Sequence, residues 1–235
     1  MRLIIKIFKF LIKISIIIVI LFLLRGFTLY RSAVKTVPIE QKIVEITSKD
    51  NYVEIKDISD YIKEYIVNIE DKRFYKHNGI DIIAIFASVI GNLDVGYYKY
   101  GGSTITQQLA KNMYFSNEKK ITRKIAEMFL AFEIERKYPK EKILELYLNI
   151  IYFGNGYYGI ENASRGYFNL SSRDLNQYQS ALLAGVPQAP SIYNLNDKNN
   201  ESMKRRFYNI LDILVEKNSI TIKQSNEFKA IYLTS

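Results

Sequence analysis

An uninterrupted apolar run near the N-terminus constrains this chain more than any other feature. Residues 14–24 read ISIIIVILFLL, with one serine as the only polar residue. Extended to residues 7–27, the stretch reaches the roughly 20 residues that an α-helix needs to cross a bilayer. Lys9, Lys13 and Arg25 lie toward its ends, where long basic side chains reach the headgroups. A run this apolar on every side excludes a surface helix of a soluble domain and predicts a membrane anchor.

The charge distribution gives the anchor a direction. Seven of the 33 Lys and Arg residues precede Glu40, and no Asp or Glu precedes it. The rest of the chain therefore has 26 basic and 24 acidic residues. The net charge of +9 therefore belongs mainly to the N-terminus, whereas a nucleic-acid-binding domain carries its excess in the folded body. Basic residues before the apolar centre predict a cytoplasmic N-terminus and an external body. A cleaved signal peptide is the alternative, but the small-x-small sequence that follows Leu24, Gly26-Phe27-Thr28, is a poor cleavage site.

The body divides by composition into a polar segment and a helical domain. Residues 1–30 are predicted to be the cytoplasmic N-terminus and transmembrane anchor, residues 31–56 a stalk or short strand, and residues 57–235 the functional domain. From Ile58 onward apolar residues recur at helical spacing, without alternation of strands and helices. The predicted fold class is mainly α. The absence of cysteine excludes a disulfide framework and a thiolate zinc site.

The segment EDKRFYKHNG at residues 70–79 contains adjacent carboxylates and the single histidine of the chain. Such a pair invites an acid–base role. A helix end explains Asp71, His77 and Gly79 as well, with the glycine as a C-cap. We favour that structural explanation for Asp71 and His77, whereas the residues alone leave Glu70 undecided.

The segment GGSTITQQLAKN at residues 101–112 combines two glycines with a helix start. Ser103 and Thr104 can cap a helix on which Gln107, Gln108 and Lys111 follow at helical spacing. A helix N-terminus with a nearby lysine is suited to an anion such as pyrophosphate. An ordinary capped surface helix is the alternative, and spacing alone favours it.

The segment RKIAE at residues 123–127 places Arg123 and Glu127 four residues apart on one helix face. An exposed ion pair would explain them and would stabilise the fold little. The functional alternative is a carboxylate held by a cation inside a cleft.

Together with KEKILELYLN at 140–149, YFGNGYYGIENAS at 152–164 and ALLAGVPQAPSIYN at 181–194, these motifs resemble glycosyltransferase family 51, the peptidoglycan glycosyltransferases. The resemblance covers about residue 57 to the C-terminus. It implies a lysozyme-like, mainly helical domain with one N-terminal transmembrane helix. It also implies an enzyme that polymerises lipid II into β-1,4 glycan strands, releases undecaprenyl pyrophosphate and inverts the configuration of the donor sugar.

The resemblance also assigns roles by motif position. Glu70 would be the general base on the acceptor 4-hydroxyl, and Glu127 a second catalytic carboxylate. The implied substrate-binding residues are Ser103, Gln107, Gln108, Lys111, Asn112, Lys119 and Arg123. The implied structural supports are Asp71, Phe74, His77, Gly101 and Gly102. A divalent cation, Mg²⁺ or Mn²⁺, is left open as a cofactor with Gln108 as a candidate ligand, and no organic cofactor is implied.

The expected partners are lipid II, the growing glycan chain and membrane lipid, with other cell-wall synthesis proteins left open and no nucleic acid. The expected location is the cell membrane, crossed once, with the catalytic domain outside the cytoplasm. The segment after Pro190 is too short for a transpeptidase domain, so we expect a monofunctional, penicillin-insensitive and moenomycin-sensitive transglycosylase. The N-terminal piece of a bifunctional penicillin-binding protein is the alternative. A lytic glycosidase and an inactive scaffold are the rival functions.

Overall fold

The computed structural model describes residues 2–95, 101–116, 120–197 and 200–234. Within these ranges the chain forms eleven α-helices and no strand, and its β-type pairing is limited to the isolated bridges Asn78–Ile80 and Tyr152–Tyr158. The helices are α1 (Arg2–Thr36), α2 (Ile39–Thr47), α3 (Asp60–Glu70), α4 (Ile82–Val95), α5 (Ile105–Tyr114), α6 (Ile121–Lys137), α7 (Lys140–Ile150), α8 (Ile160–Phe168), α9 (Gln177–Gly185), α10 (Glu201–Glu216) and α11 (Ile222–Thr234).

The predicted fold class, a mainly α domain with one apolar N-terminal helix, is confirmed. Helix α1 is long and apolar enough over Ile4–Thr36 to cross a membrane, and its residues 4–25 are exposed. Local signals set the later helices: Thr104 caps α5 and Pro139 is the N-cap of α7, where the missing N–H of proline costs no helical hydrogen bond.

The segment 31–56 contains helix, and the expectation of a short strand there is wrong. Helix α1 continues to Thr36, and α2 follows after Pro38. Ile39 and Ile46 are seven residues apart on one face of α2, and both are buried in the core. Helix α2 packs against α7. The amphipathic spacing of Ile39 and Ile46 was not recognised in the sequence because polar residues lie between them.

The core forms where six helices converge. Helix α3 packs on α9 and α10, while α5 packs on α6 and α7. Fully buried large side chains from these elements include Tyr65, Leu109, Leu130, Tyr147 and Phe207. The C-terminal end of α3, the first turn of α5 and the N-terminal half of α6 thereby come to lie around one region beside α7.

Helix α7 also fixes the extended segment between α2 and α3. The Glu145 carboxylate accepts a hydrogen bond of 2.7 Å from the Ile55 amide, and the Asn149 side chain bonds both the N–H and the C=O of Val53 at 2.9 Å. Two polar residues of the 140–149 motif therefore satisfy backbone groups that would otherwise be buried without partners.

A tight turn over residues 151–159 follows α7 and leads into α8. The Tyr152–Tyr158 bridge closes it, and Gly154, Gly156 and Gly159 all have φ of 82–83°. Gly159 has ψ of 152°, a combination that essentially only glycine adopts. A Cβ at Gly159 would also lie 2.5 Å from the Asn149 carbonyl oxygen.

We predict that Gly159→Ala destabilises the domain more than Gly156→Ala. Both positions have positive φ, but a Cβ at Gly156 meets no atom within 4 Å. The backbone strain at Gly159 costs about 1–3 kcal/mol, and the contact with Asn149 adds to it. Thermal unfolding of both variants in detergent measures the difference. Equal melting temperatures would contradict the assigned contact.

Candidate active site

The Asp71 carboxylate joins three separate segments. Asp71 is the C-cap of α3, and its Oδ2 accepts a hydrogen bond of 3.0 Å from the Ile105 amide at the start of α5. His77 Nε2 lies 2.9 and 3.0 Å from the two carboxylate oxygens. Both side chains are almost fully buried. The carboxylate thereby connects the end of α3, the start of α5 and His77, and the structural role of Asp71 and His77 stays a prediction.

The start of α5 is held by a capping box. The Thr104 hydroxyl accepts a hydrogen bond of 3.1 Å from the backbone N–H of Gln107. The side-chain oxygen of Gln107 accepts one of 3.0 Å from the backbone N–H of Thr104. Thr104 Oγ1 also donates to the Gly79 carbonyl at 2.6 Å. Gln107 is only 1% exposed. Its carboxamide therefore supports the helix start, and the structure does not bring it into the cleft with Gln108.

Glu70 is the last residue of α3, and its side chain is 10% exposed. Its Oε2 accepts a hydrogen bond of 2.8 Å from Gln108 Nε2. The Tyr147 hydroxyl is 3.1 Å from Gln108 Oε1. Burial, reinforced by Glu70 and Asp71, raises the Tyr147 pKa well above its usual value. Tyr147 thus remains a donor and fixes the amide of Gln108 with its NH₂ toward Glu70.

The protonation of Glu70 reflects opposing influences. Burial raises the pKa of the Glu70 carboxyl above its ordinary value, against the lowering effects of Gln108, Arg206 and Lys111. A carboxylate with a raised pKa accepts a proton more readily than an exposed one. This setting is suited to a general base.

Glu127 occupies the opposite electrostatic environment. It lies on α6, is 1% exposed, and its Oε1 accepts a short hydrogen bond from Arg123. Lys124 Nζ donates to Glu127 Oε2 at 3.0 Å and to Ser103 Oγ at 2.7 Å. The burial excludes the exposed ion pair that spacing alone allowed. Two cations hold this carboxylate, and one of them also links α6 to the glycine-rich segment.

Lys111 lies on α5 in a cleft of about 670 Å³. Gln108 and Asn112 line the same wall, and Tyr152 and Tyr158 line another part of the cleft. Burial lowers the pKa of the Lys111 ammonium, against the raising effect of Glu127. Within the described part of the chain, the ammonium has no hydrogen-bond or ion-pair partner. A partly desolvated cation of this kind attracts an anionic ligand.

The remaining expected residues have separate positions. A Cβ at Gly102 would lie 2.8 Å from Ser88 Oγ and 3.2 Å from Ile85 Cα, so this glycine allows close contact with α4, whereas Gly101 has open space. Phe74 is fully buried, and the Lys140 ammonium lies 4.4 Å from its ring centroid. Lys119 lies outside the described residues.

Besides Lys124 and Tyr147, sequence reasoning missed Arg206 of α10 as a site residue. Its Nη2 is 3.8 Å from Glu70 Oε1, and its Nε donates to the Gly185 carbonyl at 3.3 Å. The guanidinium also lies 5.8 Å from the Tyr193 ring centroid. A signal was present in the sequence, because an arginine four residues before the apolar Ile210 falls on the core-facing side of an amphipathic helix.

The sequence of this chain is similar to those of known proteins. Residues 39–215 match the model of the Transglycosylase family. Penicillin-binding protein 1A of Neisseria gonorrhoeae is 43% identical over 176 residues, which cover 75% of this chain and 22% of that protein. Penicillin-binding protein 1F of Bacillus subtilis (strain 168) is 42% identical over 176 residues, covering 74% of this chain and 24% of that protein. The chain thus spans about a quarter or less of these relatives.

The helical fold and the pair of buried carboxylates beside a cationic cleft agree with a glycosyltransferase domain. With the match over residues 39–215, the chain belongs to the transglycosylase family.

We predict that Arg206→Gln shifts the acidic limb of the pH–rate profile to higher pH. Arg206 lowers the Glu70 pKa, so its removal raises that pKa further, and the base form is then lost at a higher pH. Arg205→Gln is the matched control, because the neighbouring Arg205 is exposed. Initial rates between pH 5 and 9 give the profiles. Superimposable acidic limbs for Arg206→Gln and the wild type would remove Arg206 from this role.

Proposed function

We propose that this chain polymerises lipid II into β-1,4 glycan strands with release of undecaprenyl pyrophosphate. The observation that carries the proposal is the electrostatic contrast between Glu70, a buried carboxylate with a raised pKa, and Lys111, a partly desolvated ammonium in the adjoining cleft. A transfer that expels pyrophosphate needs a base at the acceptor and positive charge at the leaving group. Both requirements are represented in one site.

The reaction is a single displacement with inversion. The acceptor 4-hydroxyl gives its proton to Glu70 as its oxygen attacks C1 of the donor sugar. The C1–oxygen bond to the pyrophosphate breaks in the same step, and both electrons leave with undecaprenyl pyrophosphate. Gln108, oriented by Tyr147, keeps the reactive oxygen of Glu70 in place before the attack.

The cations divide between two tasks in this proposal. Lys111 binds the leaving pyrophosphate, because its charge has no partner among the described residues. Arg123 and Lys124 hold Glu127, which makes Glu127 a positioning and electrostatic group. Ser103 contributes through its bond with Lys124, and Asn112 contributes to the cleft wall. Lys119 remains a prediction for pyrophosphate binding.

The described residues do not fit a resident divalent cation. Among them no group of three or more His, Asp or Glu side chains lies together. Both ends of the Gln108 amide are engaged, and Glu127 is already neutralised by two cations. No step of the mechanism is therefore routed through a protein-bound metal.

Helices α1 and α4 both support a membrane location. We propose a single crossing with a cytoplasmic N-terminus, from the basic residues that precede the apolar run. Helix α4 exposes Ile82, Ile83, Phe86 and Ile90, each 58–65% accessible. An apolar face of this kind is suited to the lipid interface, where a lipid-linked substrate would reach the cleft. Tyr97, Tyr98 and Tyr100, expected to accompany it, lie outside the described residues.

We predict that Glu70→Gln abolishes polymerisation of purified lipid II, with a loss of about 10²–10⁴-fold, because the amide cannot accept the hydroxyl proton. Glu64→Gln makes the same chemical change at an exposed position of α3 and should retain activity. Product lengths are read on a gel. Normal turnover by Glu70→Gln would remove Glu70 as the base, and cleavage of preformed glycan without use of lipid II would identify a lytic enzyme instead.

We also predict that Lys111→Ala lowers turnover sharply and weakens binding of moenomycin, a phosphoglycolipid, while the melting temperature changes little. Hydrogen bonds to charged groups contribute about 1.5–3 kcal/mol, and no internal partner is lost. Lys223→Ala is the control, since that side chain is 87% exposed on α11. Wild-type turnover and inhibitor affinity in Lys111→Ala would show that the pyrophosphate is bound elsewhere.

A further inference from the structure

The membrane helix and the catalytic helix share a closely packed crossing. Gly26 and Tyr30 are buried, whereas residues 21–25 of the same helix are exposed. Because they are four residues apart, they lie on one face of α1. That face contacts α6, the helix that carries Glu127.

The crossing depends on the missing side chain of Gly26. A Cβ there would lie 2.4 Å from Ile125 Cγ2, 2.6 Å from Ile125 Cβ and 3.1 Å from the Thr122 carbonyl oxygen. Two of these atoms lie close to the α6 backbone, so side-chain rotation cannot relieve the overlap. Any larger residue at Gly26 therefore separates α1 from α6 at this point.

Aromatic and polar contacts extend the crossing by two turns. The Phe129 ring is 5.2 Å from the Phe27 ring and 6.0 Å from the Tyr30 ring, centroid to centroid. The Tyr30 hydroxyl donates to the Glu133 carboxylate. Ile125, Phe129 and Glu133 follow one another every four residues, so they form one face of α6.

The same turn of α6 carries the catalytic group. Ile125 lies between Lys124 and Glu127, and Glu127 and its two cations are already in fixed contact. On another side of α6, a Cβ at Gly79 would lie 3.0 Å from the Ala131 carbonyl carbon. Two glycines therefore allow close packing against α6: Gly26 of the membrane helix and Gly79 of the 70–79 motif.

We propose that Gly26 is a positioning residue for glycosyl transfer. Because Gly26 has no side chain, Ile125 packs directly against α1, and this contact fixes the position of α6. Glu127, Arg123 and Lys124 are thereby held in place at the cleft. The role of Glu127 in this inference rests on the proposed function. The packing of α1 on α6 is a feature of the fold and does not depend on that function. The anchor would then act in catalysis as well as in attachment, since displacements of about 1 Å at a catalytic group cost up to roughly 100-fold in rate.

The test is a compensating pair of substitutions in the full chain, reconstituted in nanodiscs. Gly26→Ala should reduce the kcat for lipid II by about 10-fold or more, with a smaller change in KM. Ile125→Ala alone should have a small effect, and Gly26→Ala combined with Ile125→Ala should recover most of the rate. Thr28→Ile, an enlargement at an exposed position of the same helix, should behave as wild type.

Hydrogen exchange of the α6 backbone provides a readout that does not depend on activity. Gly26→Ala should speed exchange over residues 121–127, and the added Ile125→Ala should restore protection. Unchanged protection in Gly26→Ala, or a rate loss that Ile125→Ala does not relieve, would overturn the proposal. If wild-type protein fails to polymerise lipid II while exchange follows the expected pattern, the proposed function fails and the seating of α1 on α6 stands.

Discussion

The hydrogen bonds of the Asp71 carboxylate are the interaction on which the rest of the site depends. Asp71 ends α3, binds the first amide of α5 and contacts His77. A buried carboxylate without such partners would carry a large desolvation cost. With them, it fixes the end of one helix against the start of another. Glu70 immediately precedes Asp71, and Gln108 follows Ile105 by three residues. The bond between Asp71 and Ile105 therefore brings Glu70 and Gln108 together.

The two carboxylates of the site differ because their neighbours differ. Glu70 has one amide donor at 2.8 Å and a guanidinium at 3.8 Å, so burial dominates and its pKa is raised. Glu127 has two cations in direct contact. Environments that favour a proton acceptor at one position and a fixed charge at the other separate the roles of the two groups. Lys111 on α5 lines the neighbouring cleft, and its ammonium has no hydrogen-bond or ion-pair partner among the described residues.

Attachment to the membrane and organisation of the site are connected through α6. The chain runs without a break from the apolar segment to Thr36, and Gly26 within it packs against Ile125 of α6. The exposed apolar face of α4 gives a second surface suited to lipid. In the proposed function the substrate remains in the bilayer, and these two elements would keep the cleft near the membrane surface.

Local signals in the sequence determined much of the fold. The apolar run predicted a spanning helix, because a helix satisfies all its backbone hydrogen bonds within one segment in lipid. The range of α6, the cap of α5 and the start of α7 follow from spacing, a capping threonine and a proline, all of which act within a few residues. The same locality explains the miss at α2, where polar residues between Ile39 and Ile46 concealed the buried face.

Only the tertiary structure decided the electrostatics of the site. Spacing placed Arg123 and Glu127 on one face but could not distinguish an exposed pair from a buried one. It placed Gln107 and Gln108 side by side but could not show that one caps its helix while the other binds Glu70. Arg206 is 136 positions after Glu70 in the chain, and the packing of α10 on α3 brings them together. Burial and charge proximity depend on which helices meet, and no local pattern specifies that.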